Sequence, residues 1–117
     1  MAPLQNFGAV FTFAIEMEGQ VRDYYAALGN DDAAKAASER IKKLERARRE
    51  YVVEITLEPI DDLDTDNYTL NTEDTSEAGQ DALNTTAKQF YTDAAPKINV
   101  RQAQRILERC GKQYNTP

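Results

Sequence analysis

Hydrophobic residues recur every three or four positions in four separate stretches of the chain, with polar residues between them. This is the period of an amphipathic α-helix, whose apolar face covers a core. The four stretches predict helices at about 5–28, 31–56, 76–95 and 99–115. Gly29, Pro59 and Pro96 follow the first three stretches, where residues that end helices are expected. The short connections at Gly29 and Pro96 predict two antiparallel helical hairpins.

The segment between the hairpins, residues 57–75, is acidic, rich in Thr and Asn, and without helical periodicity. About 18 extended residues reach about 60 Å, whereas a helix of about 22 residues is about 33 Å long. The segment is therefore long enough to run back along the helices. We predict an all-α chain with a single domain over residues 1–117, a four-helix bundle whose two antiparallel hairpins are joined by a long crossover loop.

The crossover loop also contains the spacing of an EF-hand calcium site. Asp62, Asp64 and Asp66 alternate with other residues, and Glu73 stands at the twelfth position. Pro59, however, breaks the incoming helix, and the sequence has no second hand to pair with this one. We favour an acidic, solvated loop over a calcium site.

The two predicted hairpins resemble each other in sequence. Tyr25 in the first aligns with Tyr91 in the second, 66 residues later. The stretch Leu44-Glu45-Arg46 aligns with Leu107-Glu108-Arg109, 63 residues later. These matches hold at corresponding points of both helix pairs, so the chain is predicted to contain an internal repeat.

Polar residues interrupt the apolar stripes near the middle of each helix. Glu18 and Arg48 occupy positions where a hydrophobic residue is expected, and three further residues lie close to the same height: Glu45, Asn84 and Glu108. A buried charge costs several kcal/mol unless it is paired or bound to a metal. Three interpretations follow: a metal site, Arg48 in place of a metal ion, or helix rotations that expose some of these groups. With one arginine against three carboxylates, we expect at least one glutamate to be protonated or exposed.

The phrase FAIEMEGQVRDYY, with Glu18 seven residues before Tyr25, resembles the first helix of the rubrerythrin branch of the ferritin-like superfamily. The resemblance implies the same Glu–Tyr spacing on the third helix and Glu-x-x-His on the second and fourth. The corresponding positions here depart from this pattern. Asn84 replaces a ligand glutamate, and Arg48 and Gly111 replace the two histidines.

In that family, four carboxylates and two histidines hold two iron ions that support peroxide reduction or iron oxidation. Carried over to this chain, the resemblance leaves Glu18, Glu45 and Glu108 as metal-ligand candidates. We therefore predict a ferritin-like protein with a decayed di-iron centre, no catalytic residues, no cofactor, and a structural or interaction role. The alternative is an oxidoreductase, a peroxidase or ferroxidase, with iron or manganese held by these carboxylates. The resemblance also implies a homodimer.

The composition of the chain limits the classes of molecule that it is expected to bind. The 117 residues carry a net charge of -6, which disfavours nucleic acid and anionic membranes as partners. The chain has no histidine, so the commonest general base and imidazole metal ligation are absent. Its start lacks the basic region of a signal peptide, so we expect a cytoplasmic protein. We expect a protein partner whose identity is unknown. Cys110 is predicted to be a small buried hydrophobe, and Tyr25 and Tyr91 core aromatics that need hydroxyl partners. The basic stretch 40–49 is interpreted as a solvated helix face.

Overall fold

The computed structural model describes residues 7–51, 64–98 and 100–114. These residues form four α-helices: α1 (Phe7–Ala27), α2 (Asp31–Tyr51), α3 (Glu77–Ala94) and α4 (Arg101–Lys112). Short 3-10 helices at Thr65–Tyr68 and Ala95–Lys97 precede α3 and α4. The described ranges contain no β-strand, which confirms the prediction of an all-α chain. No helix in these ranges is long and apolar enough to span a membrane.

Helix α2 begins at residue 31 as predicted, and the other described helix ends differ from the prediction by one or two residues. Helix α1 ends one residue early, α3 is one residue shorter at each end, and α4 begins two residues late. The ends predicted at residues 5, 56 and 115 lie outside the described residues.

The turn between α1 and α2 forms because Gly29 adopts the left-handed conformation, with φ of 77°. The backbone N–H of Gly29 donates to the Ala26 carbonyl at 3.1 Å, and that of Asn30 donates to the Tyr25 carbonyl at 2.9 Å. This pair of bonds is the Schellman motif, which satisfies carbonyls at the end of a helix. The Asn30 side chain then accepts from the backbone N–H of Ala33 at 3.2 Å and caps α2.

Each helix packs against two others, which places the core between them. Helix α1 contacts α2 and α3, and α4 contacts α3 and α2. The predicted apolar stripes supply most of the buried residues: Val10, Phe11, Ala14, Met17 and Val21 from α1, Ala37, Leu44 and Ala47 from α2, Leu83, Ala87, Phe90 and Tyr91 from α3, and Ala103, Leu107 and Cys110 from α4. The chain therefore forms a bundle-like arrangement of four helices.

The crossover contributes to the core, contrary to the prediction of a wholly solvated loop. Tyr68 and Leu70 are buried. The Tyr68 hydroxyl donates to Asp93 Oδ2 at 2.7 Å, and its ring meets the Phe90 ring edge-on, with centroids 5.4 Å apart. The segment is acidic, but Tyr68 and Leu70 pack on the helices because the bundle offers them a surface that excludes water.

The EF-hand spacing is only partly described. Asp62 lies outside the described residues. Asp64 uses a carboxylate oxygen to accept from the backbone N–H of Asp66 at 2.9 Å, so it caps the 3-10 helix at Thr65–Tyr68.

Candidate functional site

The carboxylate of Glu18 is fully buried in the middle of the bundle, with none of the residue exposed. Three side chains from other elements meet its two oxygens. The Tyr91 hydroxyl of α3 donates to Oε2 at 2.5 Å, and the Tyr114 hydroxyl, just after α4, donates to Oε1 at 2.7 Å. The Arg40 guanidinium of α2 brings Nε to 2.9 Å from Oε1. Both oxygens of the buried carboxylate are therefore engaged. We call Glu18, Arg40, Tyr91 and Tyr114 the carboxylate centre.

Arg40 supplies the positive charge of the carboxylate centre and is only 4% exposed. Its Nη2 donates to the Tyr114 hydroxyl at 3.1 Å, and its Nη1 donates to Gln113 Oε1 at 3.0 Å. The guanidinium carbon also lies 4.4 Å from the centroid of the Tyr114 ring, within the range of a cation–π interaction. Nε completes the ion pair with Glu18, although its N–H is not aligned for a hydrogen bond.

Burial and charge keep the phenols of the carboxylate centre protonated. Burial raises the pKa of both Tyr91 and Tyr114 well above the ordinary value, and the negative charge of Glu18 raises it further. Burial alone would lower the pKa of Arg40, but Glu18 and the two phenols outweigh it, so that pKa is raised. The two tyrosines therefore act as neutral donors, and Arg40 stays a cation.

Cys110 lies in the same region and is buried, as predicted. Burial, followed by the charge of Glu18, raises the pKa of its thiol to about 12. Since the thiolate is the nucleophilic form, this cysteine is unreactive at neutral pH.

The internal repeat appears in the structure as a crossed pair of hydrogen bonds. Glu18 and Asn84 occupy matching positions of the two hairpins, as do Tyr25 and Tyr91. Tyr91 donates to Glu18, and Tyr25 donates to Asn84 Oδ1 at 2.8 Å. The tyrosine of each hairpin therefore donates to the polar residue of the other hairpin. Both tyrosines are buried, which confirms the prediction that they are core aromatics with hydroxyl partners.

The structure does not bring all of the predicted polar residues together. Glu45 and Glu108 are exposed, which agrees with the expectation that at least one glutamate faces solvent. Arg48 is half-buried and donates to Thr12 Oγ1 at 3.4 Å. The interpretation of Arg48 as the cation beside Glu18 is wrong, because Arg40 holds that place.

Two members of the carboxylate centre, Arg40 and Tyr114, have no site role in the prediction from sequence. The basic stretch 40–49 predicts a solvated face, yet Arg40 follows buried Ala37 by three residues and precedes buried Leu44 by four. That spacing puts it on the core-facing stripe of α2. For Tyr114 the sequence pattern predicts a place on the apolar stripe of the fourth helix and no polar role.

The donors around Glu18 do not fit a metal pair. A carboxylate that accepts from two phenols and is ion-paired with an arginine has its oxygens directed at these side chains rather than at a metal ion. Asn84, at the matching position, uses its oxygen to accept from Tyr25. Within residues 7–51, 64–98 and 100–114, no group of three Asp, Glu, Cys or His side chains is placed to hold a metal ion. This geometry suits a fixed, charge-balanced core contact.

A scan against protein-family models found no match for this chain, and searches of curated proteins and of solved structures found no significant match either.

Proposed function

We propose that the chain is a non-catalytic, rubrerythrin-like member of the ferritin-like proteins that acts through its surface in a structural or interaction role. In this proposal, the ion pair of Glu18 and Arg40 replaces a metal centre. Crossed contacts between matching residues of two helical hairpins support the relation to a four-helix fold with an internal repeat. The resemblance also suggests a homodimer.

One observation carries the proposal: both oxygens of Glu18 are engaged by side-chain donors. A metal ion would have to displace Arg40, whose cation is repelled by any metal cation at the same carboxylate. Displacing the arginine would leave its charge buried without a partner, which is strongly unfavourable. A guanidinium has no accessible redox or acid–base step at neutral pH, so the centre holds the helices together instead of turning over a substrate.

Metal content after loading tests the proposal directly. The protein is incubated anaerobically with Fe²⁺ or Mn²⁺, desalted extensively, and measured by elemental analysis. We expect far less than one ion per chain, with the same low value in Glu18→Gln. Glu16→Gln is a matched control on the same helix, because it removes an exposed carboxylate that is not a metal-ligand candidate.

About one or two retained ions per chain, lost in Glu18→Gln and kept in Glu16→Gln, would overturn the proposal and favour the iron or manganese oxidoreductase. Sedimentation equilibrium tests the homodimer separately, and the mass of a single chain would contradict it.

A further inference from the structure

Positive charge is concentrated on two of the four helices. Apart from the buried Arg40, helix α2 carries six basic and five acidic residues, and α4 carries four basic and one acidic. By contrast, α1 carries three acidic residues and one basic, and residues 64–98 carry seven acidic and two basic. Because α2 and α4 pack against each other, a protein with net charge -6 presents one basic face.

A cavity of about 260 Å³ lies on this face between the two helices. We call it the basic groove; its lining residues are Lys43, Arg46, Glu50, Ile106 and Arg109. Lys43 and Arg46 match Ile106 and Arg109 in the internal repeat, so the same stretch of each hairpin builds one wall.

The basic groove keeps two positive charges that the described part of the chain does not neutralise. Its one carboxylate, Glu50, pairs with Arg46 Nε at 2.9 Å. Lys43 and Arg109 are exposed and have no ion-pair partner among the described residues. Ile106 lies beside them, half-buried and packed against the core. The groove therefore offers, around an apolar side chain, two cations with no ion-pair partner in the described part of the chain.

Two further exposed cations lie near Arg109 on α4, outside the lining of the groove. Arg105 precedes Arg109 by four residues, and Lys112 follows it by three, so all three lie on one flank of the helix. Like charges at this spacing repel one another, and an anionic partner would relieve that repulsion. Arginine and lysine bind carboxylates through charge-assisted hydrogen bonds, and arginine can do so with two parallel bonds.

The acidic side of a second copy is a poorer partner for this groove, because several of its carboxylates are already engaged. Asp93 accepts from Tyr68 and from Gln89, and Asp74 accepts from the Ser76 hydroxyl at 2.6 Å. A long polyanion such as nucleic acid would also meet the acidic remainder of the protein. A short acidic segment avoids both difficulties.

We propose that the basic groove binds an acidic, partly apolar peptide segment of a partner protein, with carboxylates on Lys43 and Arg109 and an apolar side chain against Ile106. This inference rests on the proposed interaction role and names its partner class. Its test measures peptide binding and the test above measures metal content, so the failure of either is distinguishable from the failure of the other.

The experiment measures fluorescence anisotropy of a short labelled peptide of alternating Glu and Leu at low salt. A peptide with Gln in place of every Glu and a short single-stranded DNA are the comparison ligands. The test variant combines Lys43→Glu with Arg109→Glu. The matched control combines Lys35→Glu with Lys88→Glu, which changes the net charge equally away from the groove. Circular dichroism checks that both variants stay folded.

We expect the Glu–Leu peptide to bind the native chain, the test variant to weaken that binding about tenfold or more, and the control to weaken it much less. The Gln peptide should bind far more weakly than the Glu–Leu peptide. Absence of binding at low salt, equal weakening in both variants, or tighter binding of the DNA would each overturn the proposal. Self-association that the test variant abolishes would overturn it in favour of a second copy as the occupant.

Discussion

Glu18 and Asn84 occupy matching positions in the two hairpins, yet they differ in burial and in the side chains that contact them. Glu18 is fully buried and is met by three side chains, including the cation of Arg40. Asn84 is half-buried and accepts one hydrogen bond, from Tyr25. The residue that matches Arg40 in the second hairpin is Ala103, which is small and buried. One half of the repeat therefore carries a charge and its counter-charge, and the other half carries neither.

The difference follows from the cost of burying a charge. A neutral amide needs a hydrogen-bond partner when it leaves water, and one tyrosine supplies it. A carboxylate needs opposite charge and several donors, because the interior screens its field poorly. The repeat is thus symmetric in its tyrosines and asymmetric in its charges. Four predictions test this asymmetry.

Removing the counter-charge should have the largest effect. Arg40→Ala leaves Glu18 buried without a cation, and we expect the free energy of unfolding to fall by about 3–5 kcal/mol. Urea denaturation followed by circular dichroism measures this. Arg22→Ala, which removes an exposed arginine paired with Asp23, should leave the stability almost unchanged. Equal effects of the two substitutions would mean that Glu18 does not depend on Arg40.

Removing one hydroxyl from each half compares the two directly. Tyr91→Phe deletes a donor to a charged, buried acceptor and should cost about 1.5–3 kcal/mol. Tyr25→Phe deletes a donor to a neutral amide and should cost about 0.5–1.5 kcal/mol. The same denaturation experiment measures both, and a larger loss for Tyr25→Phe would reverse the comparison.

A close approach of α3 and α4 holds Tyr91 in place. A Cβ atom on Gly111 would lie 2.9 Å from the Tyr91 Cβ, too close for two carbon atoms. Gly111→Ala should therefore cost about 1–3 kcal/mol through overpacking. Gly19→Ala is the matched control, since its Cβ would meet only the Arg22 side chain at 3.9 Å, and it should be neutral or stabilising. Stabilisation by Gly111→Ala would show that the helices can separate at this point.

The two phenols of the carboxylate centre should make the free energy of unfolding depend on pH in the alkaline range and leave it unchanged around neutral pH. Burial raises the pKa of Tyr91 and Tyr114 in the folded state, so their contribution is complete below the unfolded value of about 10. It is lost as pH rises towards the folded values, because the unfolded chain releases these protons first. Stability should fall above about pH 10 by about 1.4 kcal/mol per pH unit for each such tyrosine.

Urea titrations from about pH 8 to about pH 11 measure that slope. Tyr91→Phe should reduce the slope of the free energy of unfolding against pH by the contribution of one tyrosine, about 1.4 kcal/mol per pH unit. A slope unchanged by this substitution would show that Tyr91 is not protected from ionisation in the folded chain.

Local patterns explain how much of the fold could be predicted. Helix positions, the glycine turn at Gly29 and the burial of Glu18 depend on residues three or four apart, and those neighbours are visible in the sequence. The sequence does not predict the burial of Tyr68 and Leu70, because the crossover has no periodicity and only the neighbouring helices decide which of its residues are covered.

The sequence by itself determined four amphipathic helices, a repeated pair of tyrosines and a glutamate buried among apolar residues. Only the tertiary structure decided which cation meets that glutamate. Arg40 and Arg48 both border the apolar face of α2, about 12 Å apart along its axis and about 80° apart around it, and the periodicity alone does not select which of them lies beside Glu18. Periodicity locates the apolar face within a wide arc, whereas packing against α1 and α4 selects one orientation. The carboxylate centre is therefore a property of how the helices pack, and the residues that could form it are a property of the sequence.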